Sequence, residues 1–196
     1  MKLAVILGTT RQGRHSAKMA DWVVKNTQSN GVTVELVDLK DYDLPFFDEP
    51  ISPRYNQDRA PYPEVKRWLE KINSFDAYIV VTPEYNHSIP AVLKNALDYL
   101  DWQVSKKPFA IVSHGSAGGA RAASTLKLII SEIRAIVIST NLALTMRVSE
   151  VFDENGVLAE EISNQPYGPL AILNSLADEL KWYSDALSEA RSKIAE

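Results

Sequence analysis

Four short apolar runs recur along the first 113 residues and constrain the fold more than any other feature. They are LAVIL at 3–7, VTVELV at 32–37, AYIVV at 77–81 and FAIVS at 109–113. Continuous runs rich in β-branched residues, without polar alternation, favour strands that are buried on both faces of a parallel sheet. IVI at 136–138 is a fifth candidate strand.

Apolar residues between these runs recur at the spacing of amphipathic helices. The predicted helices span 16–28, 63–73, 90–101 and 119–134, followed by a last helix with an apolar stripe of Leu173, Leu176, Leu180, Tyr183, Leu187, Ala190 and Ile194. Such a stripe fits a coiled-coil seam or core packing, and its length of a single helix favours core packing. The alternation predicts one α/β domain over 1–196: a doubly wound five-stranded parallel sheet with right-handed crossovers, in three layers.

Composition excludes several classes of function. The net charge of −4 lacks the basic field that attracts nucleic acids or anionic membranes, so neither is expected as a partner. The chain contains no cysteine, so any redox chemistry must use a cofactor. The N-terminal apolar run is too short for a signal peptide and no 18-residue apolar stretch follows, so we expect a cytoplasmic protein.

Ligands of doubly wound sheets bind beyond the carboxyl ends of the strands, at the point where strand order reverses. Three loops there are rich in polar residues and glycine: loop 1, GTTRQGRHS at 8–16; loop 2, TPEYNHSIP at 82–90; and loop 3, SHGSAGGAR at 113–121. A fourth, irregular stretch, the 40–63 segment, is long enough to predict a lid or a subunit contact.

Loop 1 has the composition of an anion site at the start of a helix. Gly13 permits close approach, and the candidate donors are Thr9, Thr10, Arg11, Arg14 and Ser16. The alternative is that Ser16 only caps the helix and both arginines are solvated. The Gly-x-x-x-x-Gly spacing also matches a nucleotide P-loop, but Arg14 stands where that motif requires lysine, and Glu84 is the only acid near a metal-holding position.

Loops 2 and 3 suit a flat heterocycle. Tyr85, Asn86 and His87 offer an aromatic plane and polar edges, although Tyr85 packing and an Asn86 turn explain them without a ligand. In loop 3, glycines at 115, 118 and 119 let a broad ligand lie against the backbone. The Ser113–His114 pair does not predict a hydrolase, because neighbouring residues leaving a strand face opposite sides and GxSxG is not matched.

Taken together, these motifs resemble the NADPH-dependent FMN reductase family, the flavodoxin-like group that includes bacterial chromate and quinone reductases and azoreductases. The matching stretches are GTTRQGRHS, PEYNHSIPAVLKNALDYLDW, SHGSAGGARA and VFDENGVL. The resemblance implies a flavodoxin-like fold with FMN bound by Thr9, Arg11, Arg14, His15, Ser16, Pro83, Glu84, Tyr85, Asn86, Ser113, Gly115 and Ser116. His114 departs from the small residue that is frequent at its position.

The resemblance also implies a reaction. NADPH or NADH would reduce FMN by hydride transfer, and a quinone, azo compound, metal oxyanion or free flavin would then take the electrons in a ping-pong cycle. Because the cofactor carries the chemistry, we expect no catalytic acid–base side chain and no metal. Two alternatives stay open: a flavodoxin-type electron carrier or flavin-binding module without NAD(P)H activity, and a P-loop-like nucleotide-binding enzyme.

Family members pair through the helices after loops 2 and 3, which implies a homodimer or homotetramer. Those helices carry Leu93, Leu97, Leu100, Trp102 and Leu126. The alternative is that these side chains all belong to the core of one chain. In such a dimer or tetramer, the 40–63 segment would be placed to cover the neighbouring subunit's flavin.

Overall fold

A parallel sheet runs through the centre of the computed structural model, which describes residues 1–29 and 31–193. Its order is β2-β1-β3-β4-β5, with β6 also paired to β4. The strands are β1 (Lys2–Leu7), β2 (Thr33–Asp38), β3 (Ala77–Pro83), β4 (Pro108–His114), β5 (Ile136–Val137) and β6 (Leu142–Leu144). The predicted doubly wound parallel sheet is therefore confirmed, and strand order reverses between β1 and β3.

Helices cover both faces of the sheet and give the predicted three layers. They are α1 (Ser16–Thr27), α2 (Pro63–Asn73), α3 (Ala91–Asp98), α4 (Ala120–Glu132), α5 (Val148–Val151), α6 (Glu160–Ser163) and α7 (Pro169–Ser192). Helices α2, α3 and α4 pack on one face, and α1 and α7 on the other. The α3 and α4 helices end a few residues before the predicted bounds, and the two short helices α5 and α6 were not predicted.

The fifth strand is divided, which corrects the five-stranded prediction. β5 pairs with Pro108 and Phe109 at the start of β4, whereas β6 pairs with Val112 to His114 at its end. Between them the chain leaves the ladder, and Glu179 of α7 accepts hydrogen bonds from the backbone N–H groups of Ser139 (3.1 Å) and Thr140 (2.9 Å). These bonds satisfy donors that a continuous strand would have paired.

The apolar residues of the helices mostly face the sheet. The leucines at 93, 97, 100 and 126 are almost fully buried, so they belong to the core of this chain and leave only Trp102, 42% exposed, of the set considered for pairing. On the other face, Leu173, Leu176 and Leu180 are inaccessible to solvent, which confirms core packing for the first part of the α7 stripe, whereas Tyr183 and Leu187 are half-buried and Ala190 is exposed. Ile194, the last residue of that predicted stripe, lies outside the described residues.

The 40–63 segment is irregular, as predicted, apart from short turns of 3₁₀ helix at Leu39–Asp41 and Pro53–Tyr55. Asn95 of α3 fixes it at two points, because its side-chain oxygen accepts from Phe47 N (2.9 Å) and its amide donates to Pro45 O (2.7 Å). Arg59 adds an ion pair with Glu49 and a hydrogen bond to the Tyr99 carbonyl. Among the described residues, no helix has the length and apolarity to cross a bilayer.

Candidate functional site

Loops 1, 2 and 3 meet at the carboxyl end of the sheet and are joined by side-chain contacts. The Thr9 and Tyr85 hydroxyl oxygens lie 3.0 Å apart and join loop 1 to loop 2. Ser16 Oγ lies 2.7 Å from His114 Nε2 and joins loop 1 to loop 3. The Glu84 N–H donates to the His114 carbonyl (3.0 Å) and joins loops 2 and 3. The three loops therefore form one site.

Loop 1 presents unpaired donors around buried hydroxyls. Thr9 and Ser16 are each 1% exposed. Within residues 1–29 and 31–193, no acceptor pairs with the backbone N–H groups of residues 13–16, at the start of α1. A helix start with free N–H groups attracts anions through its dipole and its hydrogen bonds. The geometry therefore fits a phosphate group better than a simple cap, since the Ser16 side chain makes no capping bond.

The two arginines of loop 1 differ in what they contact. The Arg14 guanidinium forms an ion pair with Asp38 at the end of β2 and donates to the Thr9 carbonyl. Arg11 is exposed and its guanidinium lies 5.9 Å from the centre of the Tyr85 ring. In the described parts of the chain it has no carboxylate partner, so Arg11 keeps its charge available to a ligand.

Loop 2 holds a tight turn on top of the site. The backbones of Tyr85 and Ser88 exchange two hydrogen bonds (2.9 and 3.0 Å), and both residues between them have positive φ, 48° for Asn86 and 66° for His87. This is the pattern of a two-residue mirror-image turn, a conformation that asparagine tolerates well. Asn86 and His87 are consequently exposed above the sheet, while Pro83 is buried as the last residue of β3.

Glu84 does not face the open site but packs back against α4. Its carboxylate accepts hydrogen bonds from the Arg121 N–H (3.0 Å), the Arg121 guanidinium (3.1 Å) and the Ala122 N–H. Burial raises the pKa of Glu84, but these hydrogen bonds and the Arg121 charge outweigh it and lower that pKa overall. Only the main chain of Glu84 is left to border a ligand.

Loop 3 folds back tightly on the end of β4. Ser113 Oγ donates to the Gly118 carbonyl (2.7 Å) inside the loop. Gly119 has a φ of 72°, and a Cβ there would lie 2.9 Å from the His114 carbonyl oxygen, so this position requires glycine. Gly115 and Ser116 line an open cavity of about 480 Å³ together with His15 and residues 145–149.

Two features of the site were not predicted from the sequence. Residues 145–149 follow β6, a strand that was not predicted, so nothing placed them near loop 3. The contact between Ser16 and His114 joins residues 98 positions apart, and no sequence spacing indicates it. Burial, reinforced by the neighbouring His15, lowers the pKa of His114 to about 4, so its ring is neutral at pH 7.

Comparison with known proteins shows which family combines these loops. Residues 1–148 match the family described as NADPH-dependent FMN reductase. The chain belongs to this family. An NAD(P)H-dependent FMN reductase of Schizosaccharomyces pombe is 38% identical over 146 residues, covering 74% of this chain and 73% of the relative. A 2-hydroxy-1,4-benzoquinone reductase of a Burkholderia species is 31% identical, covering 82% and 87%.

Comparison with solved structures shows that this chain has a flavodoxin-like fold. The flavoenzyme NAD(P)H:acceptor oxidoreductase FerB of Paracoccus denitrificans superposes with a TM-score of 0.75 at 23% identity, covering 93% of this chain and 98% of that one. A flavodoxin of Pseudomonas aeruginosa gives a TM-score of 0.55 at 16% identity, covering 92% and 99%. The flavodoxin-like fold is confirmed, and the protein is an oxidoreductase whose family uses FMN and NAD(P)H. Family membership decides against the P-loop alternative.

Proposed function

We propose that this protein transfers two electrons from NAD(P)H to a quinone-type acceptor through FMN held by loops 1, 2 and 3. The observation that carries the proposal is the convergence of these loops at the reversal of strand order, with free N–H groups and buried hydroxyls in loop 1. Relatives named as quinone reductases support the choice of acceptor class.

The donor set of the site fits FMN. Loop 1 offers main-chain N–H groups, the Thr9 and Ser16 hydroxyls and the Arg11 charge, which suit a phosphomonoester that is held and never transferred. Bound FMN would supply the hydride chemistry itself. At Gly115 a Cβ would lie 3.2 Å from Glu84 Cβ, so the walls formed by loops 2 and 3 approach each other closely there. This close approach favours a thin, planar group above them.

The side chains of the protein then have a positioning role. Arg11 and the start of α1 fix the negative end of the cofactor, and the carboxylate of Glu84 ties loop 2 to α4 so that the main chain of 84–86 keeps its place. Main-chain donors in this position would stabilise negative charge on a reduced ring. No side chain of the described residues is assigned a proton transfer.

We further propose a homodimer in which the 40–63 segment lies near the partner's site. Its support is the exposure of Phe46 (81%) and Tyr55 (78%), two aromatic side chains on a segment that is otherwise well fixed. Serine at both positions should shift the protein towards monomer in analytical ultracentrifugation. An unchanged sedimentation coefficient would contradict this part of the proposal.

Steady-state kinetics tests the reaction. The purified protein, saturated with FMN, should oxidise NADPH or NADH in the presence of a benzoquinone, and double-reciprocal plots at several quinone concentrations should give parallel lines. Anaerobic NADPH should bleach the bound flavin within one turnover. Failure of either nicotinamide to bleach it would contradict the proposal and indicate an electron carrier that needs a partner protein. Rates with both nicotinamides establish the preferred donor.

A further inference from the structure

His114 reaches across the site to the first turn of α1. It is the last residue of β4, and its Nε2 atom lies 2.7 Å from the Ser16 Oγ atom. Ser16 is buried and is itself one of the loop 1 residues whose backbone N–H has no acceptor within residues 1–29 and 31–193. The proposed electron transfer gives the imidazole ring no task, so the contact needs its own explanation.

The pair is poorly arranged for nucleophilic catalysis. A serine activated by histidine requires a group that orients the ring from the other side. Across residues 1–29 and 31–193, no carboxylate lies within ion-pair distance of His114, and its pKa is shifted only by burial and by His15. A nucleophilic dyad is therefore not the explanation for the contact.

The position of the hydrogen between His114 and Ser16 decides what the Ser16 hydroxyl can offer to a phosphate in loop 1. A serine hydroxyl carries one hydrogen, and a phosphate dianion offers only acceptors. If Nε2 accepts the Ser16 hydrogen, the hydroxyl presents only lone pairs to the phosphate. If Nε2 carries its own hydrogen, it donates to Ser16 Oγ, and the Ser16 hydrogen is free to point at the phosphate.

The surroundings of the ring are compatible with the second arrangement. His114 is neutral at pH 7, so its ring has one hydrogen and one bare nitrogen. The ring also lines the open cavity bordered by residues 145–149, where water has access, so the bare nitrogen needs no partner from the protein. The arrangement leaves no donor or acceptor of the pair buried without a partner.

We propose that His114 is a positioning residue for the flavin phosphate, which acts by donating Nε2–H to Ser16 and so directing the Ser16 hydroxyl hydrogen into loop 1. The inference rests on the proposed function, since it takes Ser16 to contact the phosphate of FMN. It predicts a contribution to phosphate recognition and none to binding of the isoalloxazine ring.

Flavin titration of the full chain, freed of bound flavin, tests the proposal. Fluorescence quenching should show that the parent protein binds FMN more tightly than riboflavin, which lacks the phosphate. His114→Leu should raise the Kd for FMN about tenfold and leave the Kd for riboflavin unchanged. His114→Gln should restore most of the FMN affinity, because the glutamine amide donates from a position close to that of Nε2.

A double-mutant cycle separates positioning from a general structural role. In a Ser16→Ala background, His114→Leu should have no further effect on FMN affinity, because the hydroxyl that it directs is gone. Nitrogen-15 NMR of the parent protein should show a hydrogen on Nε2 of His114 and none on Nδ1, a readout that does not depend on any variant folding.

Three results would overturn the inference alone: equal losses of FMN and riboflavin affinity in His114→Leu, a full effect of His114→Leu in the Ser16→Ala background, or a bare Nε2 in the NMR spectrum. A parent protein that binds FMN no more tightly than riboflavin would overturn the proposed phosphate site and this inference with it. The two failures are therefore distinguishable.

Discussion

Loop 1 and the 40–63 segment are both irregular, yet they use their polar groups in opposite ways. The main chain of the 40–63 segment makes two hydrogen bonds with the side chain of Asn95, which belongs to α3. Within the segment, Arg59 forms an ion pair with Glu49 and donates to the Tyr99 carbonyl. In loop 1, the N–H groups at the start of α1 have no partner in the described residues. The difference teaches that an irregular segment whose backbone N–H groups lack partners is a candidate binding site. An irregular segment whose polar groups are already hydrogen-bonded has a structural role.

The largest expected effect comes from removing hydrogen-bond partners in the 40–63 segment. Arg59→Ala should lower the free energy of unfolding by about 3 kcal/mol, because it leaves Glu49 and the Tyr99 carbonyl without a partner in a region where the arginine side chain is only 5% exposed. Chemical denaturation measures the change. Arg54→Ala is the matched control, since its ion pair with Glu132 is exposed and 3.6 Å long, and it should cost less than about 0.5 kcal/mol.

The second effect concerns loop 1 and is measured as a change in FMN affinity. Combining Arg11→Ala with Ser16→Ala should raise the Kd for FMN about a hundredfold, by removing one charge and one buried hydroxyl from the proposed phosphate site. Unfolding free energy should change by no more than about 1 kcal/mol. Gln12→Ala, an exposed change in the same loop, is the control for flavin titration. A double variant that binds FMN like the parent would show that the phosphate lies elsewhere.

A smaller effect extends the comparison to the break between β5 and β6. Burial raises the pKa of Glu179, but hydrogen bonds from Ser139 and Thr140 outweigh it and lower that pKa to about 2, against an ordinary 4.5. The carboxylate therefore contributes full stability above about pH 4.5, and this contribution is lost as the pH falls towards 2.

Glu179→Gln should accordingly lose about 1 kcal/mol at pH 7, because the side chain is only partly buried, and its unfolding free energy should vary less between pH 4.5 and 2 than that of the parent. Denaturation curves across this range measure both. Parallel pH profiles for the two proteins would mean that the break is held by other contacts.

The smallest effect concerns the contact between loops 1 and 2. Tyr85→Phe removes the hydroxyl that lies 3.0 Å from Thr9 Oγ1, and the Kd for FMN should rise by no more than about fivefold. Tyr167→Phe, at a side chain 92% exposed, should leave the Kd unchanged. A large loss in Tyr85→Phe would show that this hydroxyl holds the ligand itself and not only the loop.

The sequence predicted the sheet well, because buried parallel strands appear as continuous apolar runs and amphipathic helices separate them. It did not predict β6, since Ser139, Thr140 and Asn141 interrupt the apolar pattern and their compensation comes from Glu179, far along the chain. It left open whether Leu93 and Leu97 pack in the core or against a second subunit, because helical spacing shows that a stripe is buried but not whether the covering surface belongs to the same chain; the structure buries both in this chain.

The site was predicted at the level of loops and not of side-chain partners. Motif resemblance brought loops 1, 2 and 3 together, whereas the ion pair of Arg14 with Asp38 and the hydrogen bonds of Glu84 to α4 depend on side-chain directions set by tertiary packing. The twelve residues expected to bind FMN thus stay a prediction. Among their side chains, Arg11 has no carboxylate partner within the described residues, whereas Arg14, Glu84, Ser113 and Ser16 already contact Asp38, Arg121, Gly118 and His114 respectively.

The last helix shows that a recognisable family segment and a folding unit are different things. The family match ends at residue 148, yet α7, from Pro169 to Ser192, covers one face of the sheet with three leucines that solvent does not reach. A gene fragment that ends at the family boundary would encode loops 1, 2 and 3 of the proposed flavin site on a sheet whose second face has lost α7 and keeps only part of its cover, from α1. Such a fragment should be recovered as aggregate, and domain grafts from this family should be cut after α7.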